Sequence, residues 1–297
     1  MSDRPNGAGP EPSESATGGQ PGPGLHVVAT PIGNLGDITL RARAVLAAVD
    51  AVVCEDSRVT GRLLRHLGIA RPLLPYHEHN AARVRPKLLA RLARGESLAL
   101  VADAGTPCIA DPGYKLVREA LARGVPVRAV PGPCAAIAAL SVAGLPTDRF
   151  LFQGFLPPRR AARRRVLAEL RAVPATLVLY EAPHRLRATL EDCLEELGDR
   201  EACLARELTK RFEELRHGRL AALLAGLEAT PRGEIVLVIG PPAPTRAPDE
   251  RALREALRRA LAGASLRDAV AEVAAASGAP RSLVYRLALE LGRDDEG

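Results

Sequence analysis

The stretch VADAGTPCIADPG, Val101–Gly113, sets two carboxylates, Asp103 and Asp111, among glycines, prolines and a threonine directly after a short apolar run. Residues of these types suit a metal held by carboxylates, a phosphate cradled by backbone N–H groups, or another ligand seated on a stiff backbone platform. The metal option weakens because Pro107 and Pro112 stiffen the loop and no histidine stands nearby to complete a ligand set. The phosphate option weakens because no GxxxxGK[ST] run occurs, and the Gly-rich GPGLHV precedes its strand instead of following it. Three further loops are equally unusual: TPIGNLGD (Thr30–Asp37), EDSRVTG (Glu55–Gly61) and PGPCAA (Pro131–Ala136). One such loop is a turn; four of them, each following a strand, exceed what turns need. Glycine and proline there let backbone approach a ligand closely, with free N–H groups as donors. In YHEHN, His77 and His79 are two apart and would share one face of a strand. A metal pair competes with polar loop residues that touch substrate; the latter is favoured, and no metal site is expected.

Loops of this kind need a frame. LHVVAT (Leu25–Thr30), AVVCED (Ala51–Asp56), SLALVAD (Ser97–Asp103) and VPVRAV (Val125–Val130) read as strands. Between and after them, Ile38–Asp50, Val59–Ile69, Ala82–Gly95, Gly113–Gly124 and Cys134–Gly144 read as helices, with Thr39 a plausible N-cap. This alternation implies a mostly parallel sheet covered on both faces, with ligands at the carboxyl ends of its strands. After GLPTDRF the pattern changes, and FLFQGFLP, ATLVLYEAP, EACLARELT, FEELRHGRL and GEIVLVIGPP suggest a second sheet with about two helices. The expected organisation is a disordered Gly/Pro/Ser-rich tail (1–24), an α/β domain (25–144), a second α/β domain (145–240), a Pro-rich linker (241–250) and a helical tail (251–297). The last two helical segments, joined through SGAP, resemble a helix–turn–helix; a small bundle packing on its own chain is the equal alternative.

Composition narrows the classes. The chain has 297 residues, 47% hydrophobic and 26% charged, enough for a real aliphatic core. Aromatic residues are only 3% and Trp is absent, which argues against single-strand binding by base stacking. A net charge of +6 mildly favours an anionic partner such as nucleic acid. Cys54, Cys108, Cys134, Cys193 and Cys203 are scattered, so neither a disulfide framework nor a structural zinc is expected, in keeping with a reducing cytoplasm. The N-terminus is no signal peptide, and no apolar run reaches the roughly 20 residues of a membrane span.

VATPIGNLGDITLRA, CEDSRVTGRLL, HEHN, VADAGTPCIADPGYKLV, VPGPCAAIAAL, FQGFLP, YEAPHRL and ARELTK together resemble the ribosomal RNA small-subunit methyltransferase I family, within the tetrapyrrole-methylase-like enzymes. The resemblance runs from about Leu25 to Gly240, and the helical tail is also typical of the family. It implies two α/β domains of the tetrapyrrole-methylase type with S-adenosylmethionine folded in the cleft between them, and a small C-terminal helix–turn–helix-like domain. The glycine fingerprint of common methyltransferases is missing after the first strand, consistent with that distinct type. By motif, Asp103, Gly105, Thr106 and Ile109 would surround the methionine end, with Cys134, Ala135 and Tyr180 beside them. Pro31 and Gly233 would sit at the cleft edges. Cys134 stands where serine is common, which matters only if a hydroxyl is needed there. The implied activity is 2′-O-methylation of a cytidine ribose in the decoding region of small-subunit (16S) ribosomal RNA, and the implied assembly is a homodimer.

Transfer from a sulfonium to a ribose hydroxyl requires orientation, desolvation and help in removing the hydroxyl proton. Glu181 and His184 in YEAPHR are the candidate catalytic residues, with Glu207 and Lys210 of ARELTK behind them; an ion pair of Glu181 with Arg185 or Arg206 is the competing role. Asp103 and Asp111 are expected to shape their loop and accept hydrogen bonds. The run PPRRAARRR supplies Arg159, Arg160, Arg163, Arg164 and Arg165 as candidate contacts to RNA phosphates, against the plainer use of a solvated helix face. Two other readings compete with the RNA enzyme. A small-molecule methylase of the tetrapyrrole type leaves YEAPHR and the arginine run without a use, and a non-enzymatic nucleic-acid-binding regulator rests on the tail alone.

Overall fold

The computed structural model describes residues 21–227, 232–243 and 249–294. Most of the expected tail (1–20) and half of the linker (244–248) lie outside the described residues. The chain forms two compact units, Met1–Pro241 and Pro242–Gly297.

Within the first unit, five short strands form one wholly parallel sheet: β1 (Gly24–Val28), β2 (Ala51–Cys54), β3 (Leu73–Pro75), β4 (Ser97–Leu100) and β5 (Val127–Val130), in the order β3-β2-β4-β1-β5. Every residue of β2 and β4 is buried. Alternate side chains point to opposite faces, so Leu98 and Leu100 join one apolar cluster while Ala99 and Val101 join another. That two-sided burial explains the unbroken apolar runs. Helices α1 (Leu40–Ala48), α2 (Ser57–His66), α3 (Ala81–Ala93) and α4 (Tyr114–Ala122) connect the strands. Thr39 caps α1, its hydroxyl accepting from the Ala42 amide at 3.0 Å. β3, a short strand, went unrecognised in the sequence, and His77 and His79 fall in the turn after it instead of on a strand.

The second sheet has the order β6-β7-β10-β8-β9, from β6 (Phe150–Phe155), β7 (Thr176–Glu181), β8 (Glu201–Arg206), β9 (Glu214–Arg219) and β10 (Ile235–Ile239). Only β6 and β7 run parallel; the other neighbours are antiparallel. One face packs on α6 (Arg160–Leu170), α7 (Leu186–Leu197) and the short α8 (Leu220–Ala225), through Leu167, Leu190, Leu179 and Leu237. That is one helix more than expected. The other face receives α5 (Ala135–Val142), whose Ala136 and Ala139, with Ala143 at its C-cap, meet Val178, Ala205 and Val236. Small side chains let this helix lie close on the second sheet although the loop before it belongs to the first. The two sheets are therefore joined through α5.

The second unit is three helices, α9 (Glu250–Leu261), α10 (Leu266–Ser277) and α11 (Arg281–Asp294). They close around Leu253, Leu257, Val270, Val273, Val284 and Leu287. Asp249 and Ser265 cap α9 and α10, and Gly278, at φ 67°, ends α10 in the left-handed region that glycine favours. Among the described residues no helix is long and apolar enough to cross a membrane.

Candidate functional site

Strands β4, β1 and β5 are neighbours, so the loops that follow them emerge side by side at one sheet edge. Backbone pairing locks the first two together: the Thr30 amide donates to the Gly105 carbonyl at 2.9 Å and the Gly105 amide returns to Thr30 at 3.0 Å. The third is tied in by the Thr106 hydroxyl, which donates to the Pro133 carbonyl at 3.0 Å. The loop after β2 joins through Asp103, whose carboxylate accepts from the Asp56 amide at 3.0 Å. All four unusual loops thus converge, and Asp103 is a strut as expected of it.

The VADAGTPCIADPG loop is held in tension. Cys108 and Ala110 adopt φ of 71° and 63°, a region costly for residues with a Cβ. A Cβ on Gly113 would meet Cys108 Sγ at 2.8 Å and Leu100 Cδ2 at 3.0 Å, so the thiol packs where the loop turns into α4. On the opposite wall Glu207 and Thr209 show the same conformation, at φ of 52° and 66°. Lys210 there lies over Gly33, where a Cβ would fall 2.5 Å from Lys210 Cγ, and its ammonium bonds Glu207 at 2.8 Å. Burial opposes the Lys210 charge, but the carboxylates of Glu207 and Glu234 outweigh it and its pKa rises.

Between these walls lies a cavity of about 410 Å³. Asp103, Gly105, Thr106, Ile109, Cys134 and Ala135 line it from the first sheet's loops, and Tyr180 and Gly233 from the second sheet. Of the residues assigned to the cofactor by motif, Pro31 alone is not on the wall; Ile32 takes that place. Phe155, Leu208, Glu234 and Val236 line the wall without having been singled out in the sequence, and so does Asp111, which was expected only to shape its loop once the metal option weakened. Asp111 is half-buried, and burial, then the charges of Glu55 and Asp103, push its pKa up to about 6. An acidic, partly apolar cavity of this size suits a small organic cation with a flat apolar portion. Among the described residues no group of three or more His, Cys, Asp or Glu is arranged to hold a metal.

The two candidate catalytic residues are placed differently from one another. Glu181 reaches the wall but is buried, and both its oxygens are engaged. One accepts from the Ala182 amide at 2.8 Å and faces Arg185 Nε at 3.3 Å; the other accepts from the Thr189 hydroxyl at 2.5 Å. The ion pair weighed as its alternative role is thus present, with Arg185 and not Arg206. His184 is exposed and off the cavity wall.

The arginine run also departs from a uniform RNA-facing array. Arg163 is buried and bonds Asp192 at 2.7 Å, so it is unavailable to phosphate. Arg160 shares Asp192 at 3.0 Å, and Arg164 pairs with Glu195 and Glu196 at 2.9 and 2.6 Å. These three stitch α6 to α7. Among the described residues Arg165 pairs with an exposed Glu169 on its own helix at 3.5 Å, and Arg159 is exposed.

Two sheets joined by a small-residue helix, with strained loops closing on one acidic cavity, make up a fold and site that known proteins share. Residues 24–224 match the model of the tetrapyrrole (corrin/porphyrin) methylases, and residues 247–292 match the RsmI C-terminal HTH domain. Solved structures of similar fold include uroporphyrin-III-C-methyltransferase from Thermus thermophilus (TM-score 0.53, 25% identity, covering 73% of this chain and 93% of that one). Diphthine synthase is also similar (TM-score 0.58, 18% identity, 73% and 89% covered). Curated relatives are nearer in sequence. The ribosomal RNA small subunit methyltransferase I of Mesorhizobium japonicum is 49% identical over 93% of this chain and 94% of its own. The protein of that name from Erythrobacter litoralis is 52% identical over 91% and 95%. The chain belongs to the ribosomal RNA small subunit methyltransferase I family, a branch of the tetrapyrrole methylases.

Proposed function

We propose that this chain binds S-adenosylmethionine in the cavity between its two sheets and transfers the methyl group to the 2′-oxygen of a cytidine ribose in the decoding region of small-subunit ribosomal RNA. The observation that carries this reading is the convergence of the VADAGTPCIADPG and PGPCAA loops with Tyr180 on one acidic cavity, in a chain whose relatives are named ribosomal RNA small subunit methyltransferase I. Support for the cofactor also comes from the chemistry of the wall. Asp103 and Asp111 give a cation its counter-charge, while Ile32, Ile109, Leu208 and Val236 give a flat ring its apolar contacts. When bound, the cofactor supplies an activated methyl group on a sulfonium.

The chain's own work is then orientation. The bridged Thr30–Gly105 pair and the Thr106–Pro133 bond fix the loops before any ligand arrives, which lowers the ordering cost at binding. Glu181, committed to Thr189, Ala182 and Arg185, acts as a positioning residue for the YEAPHR turn that presents Ala182 and Pro183 to the cavity. His184, exposed one residue beyond Pro183, is the candidate to meet the ribose proton from the RNA side, with Glu207 and Lys210, paired with each other, behind it. Arg159 and Arg165 remain the members of the run offered to phosphates.

The test is transfer of labelled methyl from S-adenosylmethionine to small ribosomal subunits purified from a strain lacking this gene, with the modified nucleotide mapped by mass. Label on a cytidine ribose of the decoding region is expected. Label on uroporphyrinogen and none on the subunits would favour the small-molecule reading, which the fold-level similarity to uroporphyrin-III-C-methyltransferase keeps in view.

A further inference from the structure

The strand that carries the FQGFLP motif is irregular. Pairing of β6 with β7 runs Phe152 opposite Val178, then skips Gln153 and resumes with Gly154 opposite Leu179 and Phe155 opposite Tyr180. In a regular strand, residues three apart point to opposite faces. The bulge absorbs one residue, so Phe152 and Phe155 emerge on the same face, the one shared by Val178 and Tyr180. Gly154, at φ 69°, takes the left-handed conformation the bulge requires. Both rings then meet Tyr180 edge-on, Phe152 at 5.0 Å and Phe155 at 5.6 Å between centroids.

The two rings differ in cover. Phe152 packs in the cluster beneath α5, whereas Phe155 lines the cavity and stays 56% exposed. The chain has only four Phe, four Tyr and no Trp. Three of its rings gather here, and a bulge aims the outermost of them at the cavity without burying it. An exposed ring braced edge-on by Tyr180 presents a flat apolar face to whatever enters. We infer that Phe155 is the stacking platform for the nucleobase of the methylated nucleotide, holding that base out of its RNA stack while its ribose reaches the cofactor. This rests on the ribose-methylation reading above. A nucleotide whose sugar must enter a cavity has to leave its neighbours, and an aromatic face replaces the stacking it gives up. The low aromatic content counts against a long single-strand track and is compatible with one platform for one base.

The experiment compares the full chain with Phe155→Ala, Phe155→Leu and Phe155→Tyr. Three quantities are read: calorimetric affinity for S-adenosylmethionine, kcat/KM for methyl transfer to unmethylated small subunits, and mass in solution. The platform requires kcat/KM to fall about tenfold further than cofactor affinity does in the Ala and Leu variants, and Tyr to retain most of the rate. Leu matters because it keeps apolar bulk and loses the π face. Cofactor affinity falling in step with the rate would make Phe155 a lid on the cofactor and overturn the inference. So would a drop in mass, which would mean that a second copy covers the ring, or unchanged kinetics in all three. An unsubstituted chain that binds cofactor but leaves subunits unmethylated would instead sink the functional reading itself.

Discussion

The phenolic oxygen of Tyr180, on the second sheet, accepts the amide of Ala136, in the first turn of α5, at 3.1 Å. A helix leaves its first amides without internal partners, and Cys134, at the N-cap of α5, makes no side-chain cap bond. Tyr180 therefore does what a serine hydroxyl at position 134 would otherwise do, and the cysteine is tolerated. Burial pushes the Tyr180 pKa up to about 12, so the phenol stays neutral at ordinary pH. Tyr180→Phe should leave that amide unpaired and destabilise the fold by about 1–2 kcal/mol. Denaturant unfolding would measure the loss, and calorimetry should show weaker cofactor binding because Tyr180 is also a wall residue.

Asp111 sets a pH dependence. Its folded-state pKa, about 6, lies above the ordinary aspartate value of 3.8. Between those values the folded protein holds a proton that the unfolded chain has released, so stability from this group is present at the acid end and lost as pH rises through about 6. A cationic ligand reverses the preference, since it favours the ionised carboxylate. Cofactor affinity should therefore rise with pH across about 6, and Asp111→Asn should flatten that rise and weaken binding at neutral pH. Titration calorimetry at several pH values would decide it; an identical profile in the variant would refute the assignment.

Arg163 and its neighbours should separate in function. Removing Arg163 leaves Asp192, which is 1% exposed, with the single 3.0 Å bond from the exposed Arg160 as its ion pair among the described residues. Arg163→Ala should cost roughly 3 kcal/mol in unfolding experiments, the scale for breaking a buried pair. Arg159→Ala and Arg165→Ala should change stability by less than about 0.5 kcal/mol and reduce the salt dependence of RNA binding. RNA affinity measured between low and moderate salt checks the second half.

Gly113 should tolerate no side chain. At φ 145°, with Cys108 Sγ and Leu100 Cδ2 both within 3.0 Å of any added Cβ, Gly113→Ala must push the loop off the sheet edge. Loss of about 2 kcal/mol or more and loss of cofactor binding are expected together. Cys108→Ala, which removes the obstructing sulfur, should restore part of both in the double variant, readable as a coupling energy.

Much of this protein was legible in its residues because the features concerned are local. Short apolar runs marked most of the buried strands, Thr39 marked a helix start, and Gly and Pro clusters after strands marked where a ligand would sit. The short β3 escaped because Pro72 and Pro75 bracket two leucines and leave too short a run to read. What the tertiary structure alone decided depends on partners distant in sequence. Arg163 is a core residue because Asp192, on another helix, lies opposite it; Arg159, four residues earlier, is exposed. Glu181 is locked because Thr189 and Arg185 come round on the following turns. Phe155 faces the cavity because pairing with β7 inserts a bulge, and one residue of register exchanges the two faces of a strand. Residue types and local spacing set which elements form and where a site can lie; which side chains are free to act there follows from long-range packing, because burial and pairing decide whether a charge or a ring is already spent.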